Sequence, residues 1–143
     1  MRYAIPVVGA LAAAGIAGWA MVGTGTAPSD SARPAEGAAL AQVKVPPDLS
    51  GKAQMGRIAF EAKCAACHGD NAAGRNGLGP PLVHKIYEPS HHGDESFQLA
   101  VARGVTAHHW RFGDMPPQDG LTRADVDTII AYVRELQRAN GID

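Results

Sequence analysis

The stretch Cys64-Ala65-Ala66-Cys67-His68 dominates the interpretation of this chain of 143 residues. Its two cysteines are the only ones in the sequence, and a histidine directly follows the second. Two cysteines three positions apart cannot form the disulfide framework of a small secreted scaffold. The two thiols and the imidazole are therefore expected to act together on one bound group.

A Cys-x-x-Cys-His motif is typical of covalent haem attachment of the c type. Thiols at this spacing can add across the two vinyl groups on one edge of a porphyrin, and the histidine that follows then lies under the iron. The sequence therefore predicts that Cys64 and Cys67 carry one haem c and that His68 ligates its iron. Covalent attachment keeps the group in place even in a small exported domain.

Three other interpretations of the motif stay open at this point. A thioredoxin-type redox pair also uses Cys-x-x-Cys, but it expects a preceding strand in a βαβ unit, and no alternating strand pattern is visible. A structural disulfide across so short a loop would stabilise little. A zinc site needs further ligands at suitable spacing. Five other histidines are available, in no recognisable ligand pattern: His84, His91, His92, His108 and His109.

The N-terminal part of the chain differs in composition from the rest. Residues 3–22 form an uncharged apolar run of about 20 residues, long enough to span a bilayer, behind the positive side chain of Arg2. Length favours a retained membrane anchor over residues 1–22, with its N-terminus in the cytoplasm. A cleaved signal is the alternative, because small residues at 25–27 suit a signal peptidase. Residues 23–49, rich in Ala, Gly, Pro and Ser, predict a disordered linker.

The remaining residues, 50–143, predict an all-α domain. Apolar periodicity indicates three main helices, at about 51–65, at about 95–103 with Asp94 as N-cap, and a last one that begins near Thr122 and is ended by Asn140-Gly141. Thr122 and Asp125 resemble a capping box at the start of the last helix. Gly- and Pro-rich loops connect the helices.

The domain as a whole resembles the class I, mitochondrial-like cytochromes c, especially their membrane-anchored bacterial members. Beside the attachment motif, Gly79-Pro80-Pro81-Leu82 resembles the family's Gly-Pro-x-Leu, and Met115-Pro116 resembles its distal ligand loop. Gly56 and Phe60 match the family's first helix, and Tyr132 matches the aromatic on its last helix. The resemblance implies a small cytochrome c fold, with the main helices surrounding one covalently bound haem.

The resemblance also implies roles for individual residues. Met115 is expected to be the second axial ligand of the iron, which leaves no open site for chemistry. The Pro80 carbonyl is expected to accept from the free ring N–H of the proximal histidine, and Leu82 to pack on the haem face. His108 and His109 are the alternative axial ligands, because they lie close to the Met115 loop in sequence.

The charge pattern limits the possible partners. The formal net charge is −1 and no basic stripe is visible, so nucleic-acid binding is not expected. The scattered Arg and Lys are expected on a solvated surface, and His91 and His92 in a solvated loop. The lysine-rich ring that the family usually carries around the haem edge is not evident in this sequence.

The resemblance implies an electron-transfer protein rather than an enzyme. Its domain is expected in the periplasm, anchored to a bacterial inner membrane, or soluble there if the leader is cleaved. Expected partners are respiratory or photosynthetic-type redox proteins, with a quinol-oxidising complex or dehydrogenase as donor and a terminal oxidase as acceptor. The alternative is a dedicated cytochrome subunit of a dehydrogenase or oxidase complex. An enzyme or gas sensor with an open iron site would need Met115 to be absent or labile.

Overall fold

The computed structural model describes Met1 and residues 34–143. The predicted anchor beyond Met1 and the predicted linker as far as residue 33 lie outside the described residues. Residues 34–143 are helical and contain no strand, only isolated β-bridges. Among the helices described, none is long and apolar enough to cross a membrane. The predicted all-α class is confirmed for this part of the chain.

Four α-helices carry the fold of residues 34–143: α1 (Gly51–Lys63), α2 (Ala65–His68), α3 (Asp94–Arg103) and α4 (Arg123–Ala139). Two short 3-10 turns, at Asp70–Ala72 and Lys85–Tyr87, lie in the loop that joins α2 to α3. The helices α1, α3 and α4 are the three main helices that the sequence predicts. α2 is a single additional turn that carries most of the cysteine motif.

The capping box predicted for α4 is present. The Thr122 hydroxyl accepts from the Asp125 N–H at 3.2 Å, and the Asp125 carboxylate accepts from the Thr122 N–H at 2.9 Å. These bonds satisfy N–H groups that have no partner within the first helical turn. The hydrogen bonds that the Thr122 hydroxyl and N–H donate to the Asp125 carboxylate also hold the pKa of Asp125 below its usual range.

The other helix ends differ slightly from the prediction. α1 ends at Lys63 rather than at residue 65, because the chain turns at Cys64 (φ −114°, ψ −33°) and begins a separate turn. Asp94 is the first residue of α3 rather than its N-cap, since Gly93 occupies that position. The Asp94 carboxylate does not cap α3 and instead accepts a hydrogen bond from the Arg134 side chain of α4.

Helices α1 and α4 cross at close range beside Gly56. A Cβ atom at this position would lie 1.8 Å from the Thr128 carbonyl oxygen of α4, so only glycine fits there. Next to this point Phe60 and Tyr132 are fully buried, with ring centroids 5.7 Å apart and planes tilted by 60°. Gly56, Phe60 and Tyr132, the positions that resemble those of the family's first and last helices, therefore pack together where α1 crosses α4.

The segment 34–49 corrects the predicted linker, because the structure joins it to the helical unit. The Gly37 N–H donates to the Asn76 carbonyl at 2.8 Å, and farther along the Lys44 N–H donates to the Asn140 side-chain oxygen at 2.9 Å. Composition shows only that such a segment cannot build a core of its own. It does not show that the segment's backbone groups find partners on a loop and a helix end elsewhere.

The close crossing makes Gly56→Ala the most informative substitution in the scaffold. In an exposed helix this change stabilises by roughly 0.5–1 kcal/mol, but here the added methyl meets backbone that cannot move aside. We expect the free energy of unfolding to fall by about 1–3 kcal/mol in guanidinium titrations of the haem-loaded protein.

Gly51→Ala is the matched control, because a Cβ at Gly51 meets no atom within 4 Å. Its stability should equal or slightly exceed that of the parent protein. Equal stabilities of the Gly56 and Gly51 variants would contradict the close crossing.

Candidate functional site

The cysteine motif occupies one tight turn at the junction of α1 and α2. The Cys64 carbonyl accepts from the N–H groups of Cys67 and His68 at 3.1 and 2.9 Å. Cys64 is half-buried, Cys67 is exposed, and no disulfide joins them. The turn therefore presents two thiols and an imidazole from five consecutive residues.

The thiol of Cys64 lies in an environment that disfavours the thiolate. Burial first, and the neighbouring Cys67 second, raise the pKa of Cys64 to about 11. A thioredoxin-type pair needs a lowered pKa at its first cysteine, because the thiolate is the nucleophile. The raised pKa, and the lack of any strand in residues 34–143, argue against that interpretation of the motif.

A single hydrogen bond sets the orientation of His68. Its Nδ1 lies 2.9 Å from the Pro80 carbonyl oxygen, which can only accept, so Nδ1 carries the proton and Nε2 keeps its lone pair. Burial lowers the pKa of His68, and the hydrogen bond with Pro80 opposes part of that shift. The imidazole is therefore neutral at pH 7, the form that binds a metal ion. The predicted contact between His68 and Pro80 is present.

The loop that carries Pro80 folds back over the motif. Gly79 approaches so closely that a Cβ atom there would lie 2.6 Å from the Cys67 carbonyl oxygen. The His68 carbonyl accepts from the Gly74 N–H at 2.6 Å, and an Arg75 guanidinium N–H donates to the Ala66 carbonyl at 2.9 Å. These bonds fix the loop against the turn and so fix the position of the Pro80 carbonyl.

Leu82 continues from this loop into the core. It is 9% exposed and belongs to the same buried cluster as Phe60 and Tyr132. Its N–H donates to the Ala72 carbonyl at 2.9 Å. The side chain is thus one wall of the apolar interior beneath the motif, and its packing on a haem face stays a prediction.

Met115 lies on a separate loop, between α3 and α4. Its backbone forms an antiparallel bridge with Val105, in which both N–H···O distances are 2.9 Å. Gly104 lies beneath this bridge with φ +75°, and a Cβ atom there would meet the Met115 carbonyl oxygen at 2.4 Å. The structure therefore fixes the backbone of Met115 and leaves its side chain half-buried. Its role as a ligand stays a prediction.

Trp110, on the same loop, has a buried polar atom that the protein does not satisfy. Among the described residues, its indole Nε1 has no hydrogen-bond acceptor. The ring packs edge-on to His84, with centroids 5.2 Å apart, and stacks on Phe112 at 5.7 Å. A buried N–H without an acceptor is costly, and a bound group that carries carboxylates, as haem does, would supply one.

Comparison with known proteins identifies the family. The family model described as Cytochrome c matches residues 53–137, more than half of the chain. The chain belongs to the cytochrome c family. No curated protein matches the chain significantly. Cytochromes c bind haem c covalently and use its iron for electron transfer, and the donor set of this cytochrome, two thiols and a neutral imidazole in one turn, fits that group.

Sequence reasoning missed a buried polar network that holds the site loop to α4. Arg134, only 7% exposed, donates through its two Nη atoms to the carbonyls of Tyr87 and His92, at 2.7 and 2.6 Å. It also donates to the Asp94 carboxylate at 2.9 Å and to the Gln137 side-chain oxygen at 2.7 Å. The expectation that the scattered basic residues are solvated is therefore wrong for Arg134.

Gln137 extends the network to the residues that follow Pro80. It is fully buried, and its Nε2 donates to the Leu82 and Tyr87 carbonyls at 2.8 and 3.0 Å. The loop from Leu82 to His92 is thus attached to α4 through its carbonyl groups. Only the helical spacing of Arg134 within the apolar stripe of α4 could have indicated this burial from sequence.

Substitution of Arg134 tests how much of the stability depends on this network. Arg134→Met leaves the His92 carbonyl and the Gln137 amide oxygen without their donor, and it leaves the Tyr87 carbonyl with the Gln137 Nε2 as its remaining donor. We expect the free energy of unfolding of the haem-loaded protein to fall by about 2–4 kcal/mol in denaturant titrations.

Arg138→Met provides the matched control, since it removes an exposed guanidinium one turn farther along α4. It should change stability by less than about 0.5 kcal/mol. Equal losses in the two variants would show that the network contributes nothing beyond the general loss of charge.

Proposed function

We propose that this cytochrome c is a one-electron carrier of the class I type. It carries a single haem, bound through Cys64 and Cys67 and ligated by His68 and Met115. The observation that carries the proposal is the contact of His68 Nδ1 with the Pro80 carbonyl at 2.9 Å. His68 directly follows Cys67 and lies one turn after Cys64. That contact prepares Nε2 as a ligand beside the two groups that would hold the porphyrin.

The bound haem supplies one-electron chemistry, because its iron cycles between the ferric and ferrous states. The residues of the chain bind it, orient its ligand and limit access of water. The Pro80 carbonyl keeps His68 in one tautomer and makes its Nε2 more basic. The buried cluster that contains Leu82, Phe60 and Tyr132 places an apolar interior behind the motif, and low solvent access tunes the reduction potential.

Two observations favour Met115 over the neighbouring histidines as the second ligand. The bridge to Val105 fixes the Met115 backbone, whereas His108 and His109 are exposed. Thioether ligation gives a higher reduction potential than two imidazoles and leaves no open position.

The proposed location is the periplasmic face of a bacterial inner membrane. It is supported by the apolar run at 3–22 and by the fact that c-type haem is attached outside the cytoplasm. The proposed partners are a quinol-oxidising complex or dehydrogenase and a terminal oxidase, and membership of one such complex is the alternative. In the absence of a lysine-rich patch in the sequence, we propose docking through a small, transient interface.

Covalent attachment is tested by expressing the protein in a host that matures c-type cytochromes. The parent protein should keep its pigment in acidified organic solvent, because two thioether bonds hold it. The double variant Cys64→Ser/Cys67→Ser should lose all pigment in the same extraction, as followed by absorbance and intact mass. Ala66→Ser, which adds a hydroxyl between the two cysteines, is the control and should keep the pigment. Parent protein that releases its pigment would overturn the proposal.

Axial ligation is tested by Met115→Leu, measured with the ferric optical spectrum and a potentiometric titration. The variant should lose the weak charge-transfer band at the red edge of the spectrum, and its reduced form should bind CO rapidly. If the variant His108→Gln/His109→Gln loses the band instead and Met115→Leu retains it, a histidine is the ligand and this part of the proposal is wrong.

A further inference from the structure

Four histidines that the sequence separates into two pairs come together on the surface. His91 and His92 follow the second 3-10 turn, and His108 and His109 precede the Met115 loop. The ring of His92 lies 5.3 Å from that of His109, and the rings of His91 and His109 are 5.5 Å apart. Of the four, His92 alone is partly buried, with its ring 5.1 Å from that of Tyr87, and the other three are exposed.

We propose that His91, His92 and His109 form a second metal site, which binds a divalent transition metal, with Cu²⁺ preferred over Zn²⁺. One ring nitrogen from each lies within 4.8 Å of the others. Three nitrogens at this separation can be reached by one ion through bonds of about 2.0–2.1 Å, after side-chain adjustments that exposed rings allow. The site lies outside the haem attachment turn and shares no residue with it.

The loop that bears His91 and His92 is held in place before any metal binds. The His91 and His92 N–H groups both donate to the Glu88 carbonyl, at 3.1 and 2.8 Å. The His92 carbonyl in turn accepts from buried Arg134 at 2.6 Å. The backbone at His91 and His92 is therefore attached to α4, and metal binding costs little conformational entropy to order this loop.

The tautomer of His92 is also set. Its Nδ1 lies 2.6 Å from the Ile86 carbonyl oxygen, so Nδ1 carries the proton and Nε2 is available as a ligand. A carbonyl or carboxylate partner on the second ring nitrogen is the usual support of a metal-bound histidine. His91 and His109 are exposed, which gives an ion in solution access to the site.

The ligand set decides which ions fit. Imidazole nitrogens suit copper, zinc and nickel, whereas magnesium and calcium require oxygen ligands. For a given nitrogen site the affinity is highest for Cu²⁺. Three imidazoles leave at least one position for water or for His108, whose ring lies 6.2 Å from that of His92.

The site is tested on the haem-loaded protein, purified without a histidine tag and stripped with a chelator. Thioether bonds occupy both cysteines in this form, so no thiol competes for the metal. Calorimetric titration with Cu²⁺ should show one equivalent bound. The same titration with Zn²⁺ should show weaker binding, and with Mg²⁺ no binding. The EPR spectrum of the Cu²⁺ complex should show splitting from several imidazole nitrogens.

The variants His91→Gln and His109→Gln should each weaken Cu²⁺ binding by at least about tenfold. Ser90→Gln is the matched control, because it places the same side chain on the adjacent exposed position and leaves every imidazole in place. Its affinity should equal that of the parent. Haem content and the helical circular dichroism, recorded for each variant, separate loss of the metal site from loss of the fold.

Two outcomes would overturn the site. If both histidine variants bind one Cu²⁺ as tightly as the parent, the ion binds elsewhere. If the parent binds several ions weakly with no nitrogen splitting, binding is adventitious. Neither outcome bears on haem attachment, which is scored separately by the retained pigment.

Discussion

The hydrogen bond between His68 and the Pro80 carbonyl is the constraint on which the site depends. It exists because the loop 69–81 folds back over the cysteine turn, with Gly79 pressed against the Cys67 carbonyl. This loop is also bonded to α4, because the Tyr132 hydroxyl donates to the Asn71 side-chain oxygen at 3.1 Å. Since the position of α4 depends in turn on its close crossing with α1, the ligand geometry is tied to helix packing.

A second support acts on the same loop farther along the chain. Arg134 and Gln137 both donate to backbone carbonyls between Leu82 and His92. Carbonyl groups in a loop without regular structure have no ladder partner, and a buried one without a donor is costly. An arginine with five donors in a fixed fork can satisfy several at once. Arg134 and Gln137 together thus supply donors to the carbonyls of Leu82, Tyr87 and His92.

The sequence predicts features whose cause is local. The cysteine turn and the capping box of Thr122 and Asp125 each depend on residues a few positions apart, so their spacing is sufficient. Gly56 was also predicted, although only through resemblance to a family. The attachment of residues 34–49, the burial of Arg134 and the meeting of His92 with His109 depend on backbone groups distant in sequence. Composition and periodicity do not identify such partners, although the helical spacing of Arg134 places it beside the apolar stripe of α4.

The Cys64 thiol and the surface imidazoles of His91 and His109 differ as metal donors, both in burial and in whether a proton must leave before a metal ion binds. Burial raises the pKa of Cys64 to about 11, so the proton that a metal ion must displace to bind this thiol is held more tightly than usual. The imidazoles of His91 and His109 lie at the surface and need no such displacement when neutral. Haem attachment removes the thiols as soft ligands altogether, and the exposed imidazoles are then the strongest transition-metal donors left among the described residues.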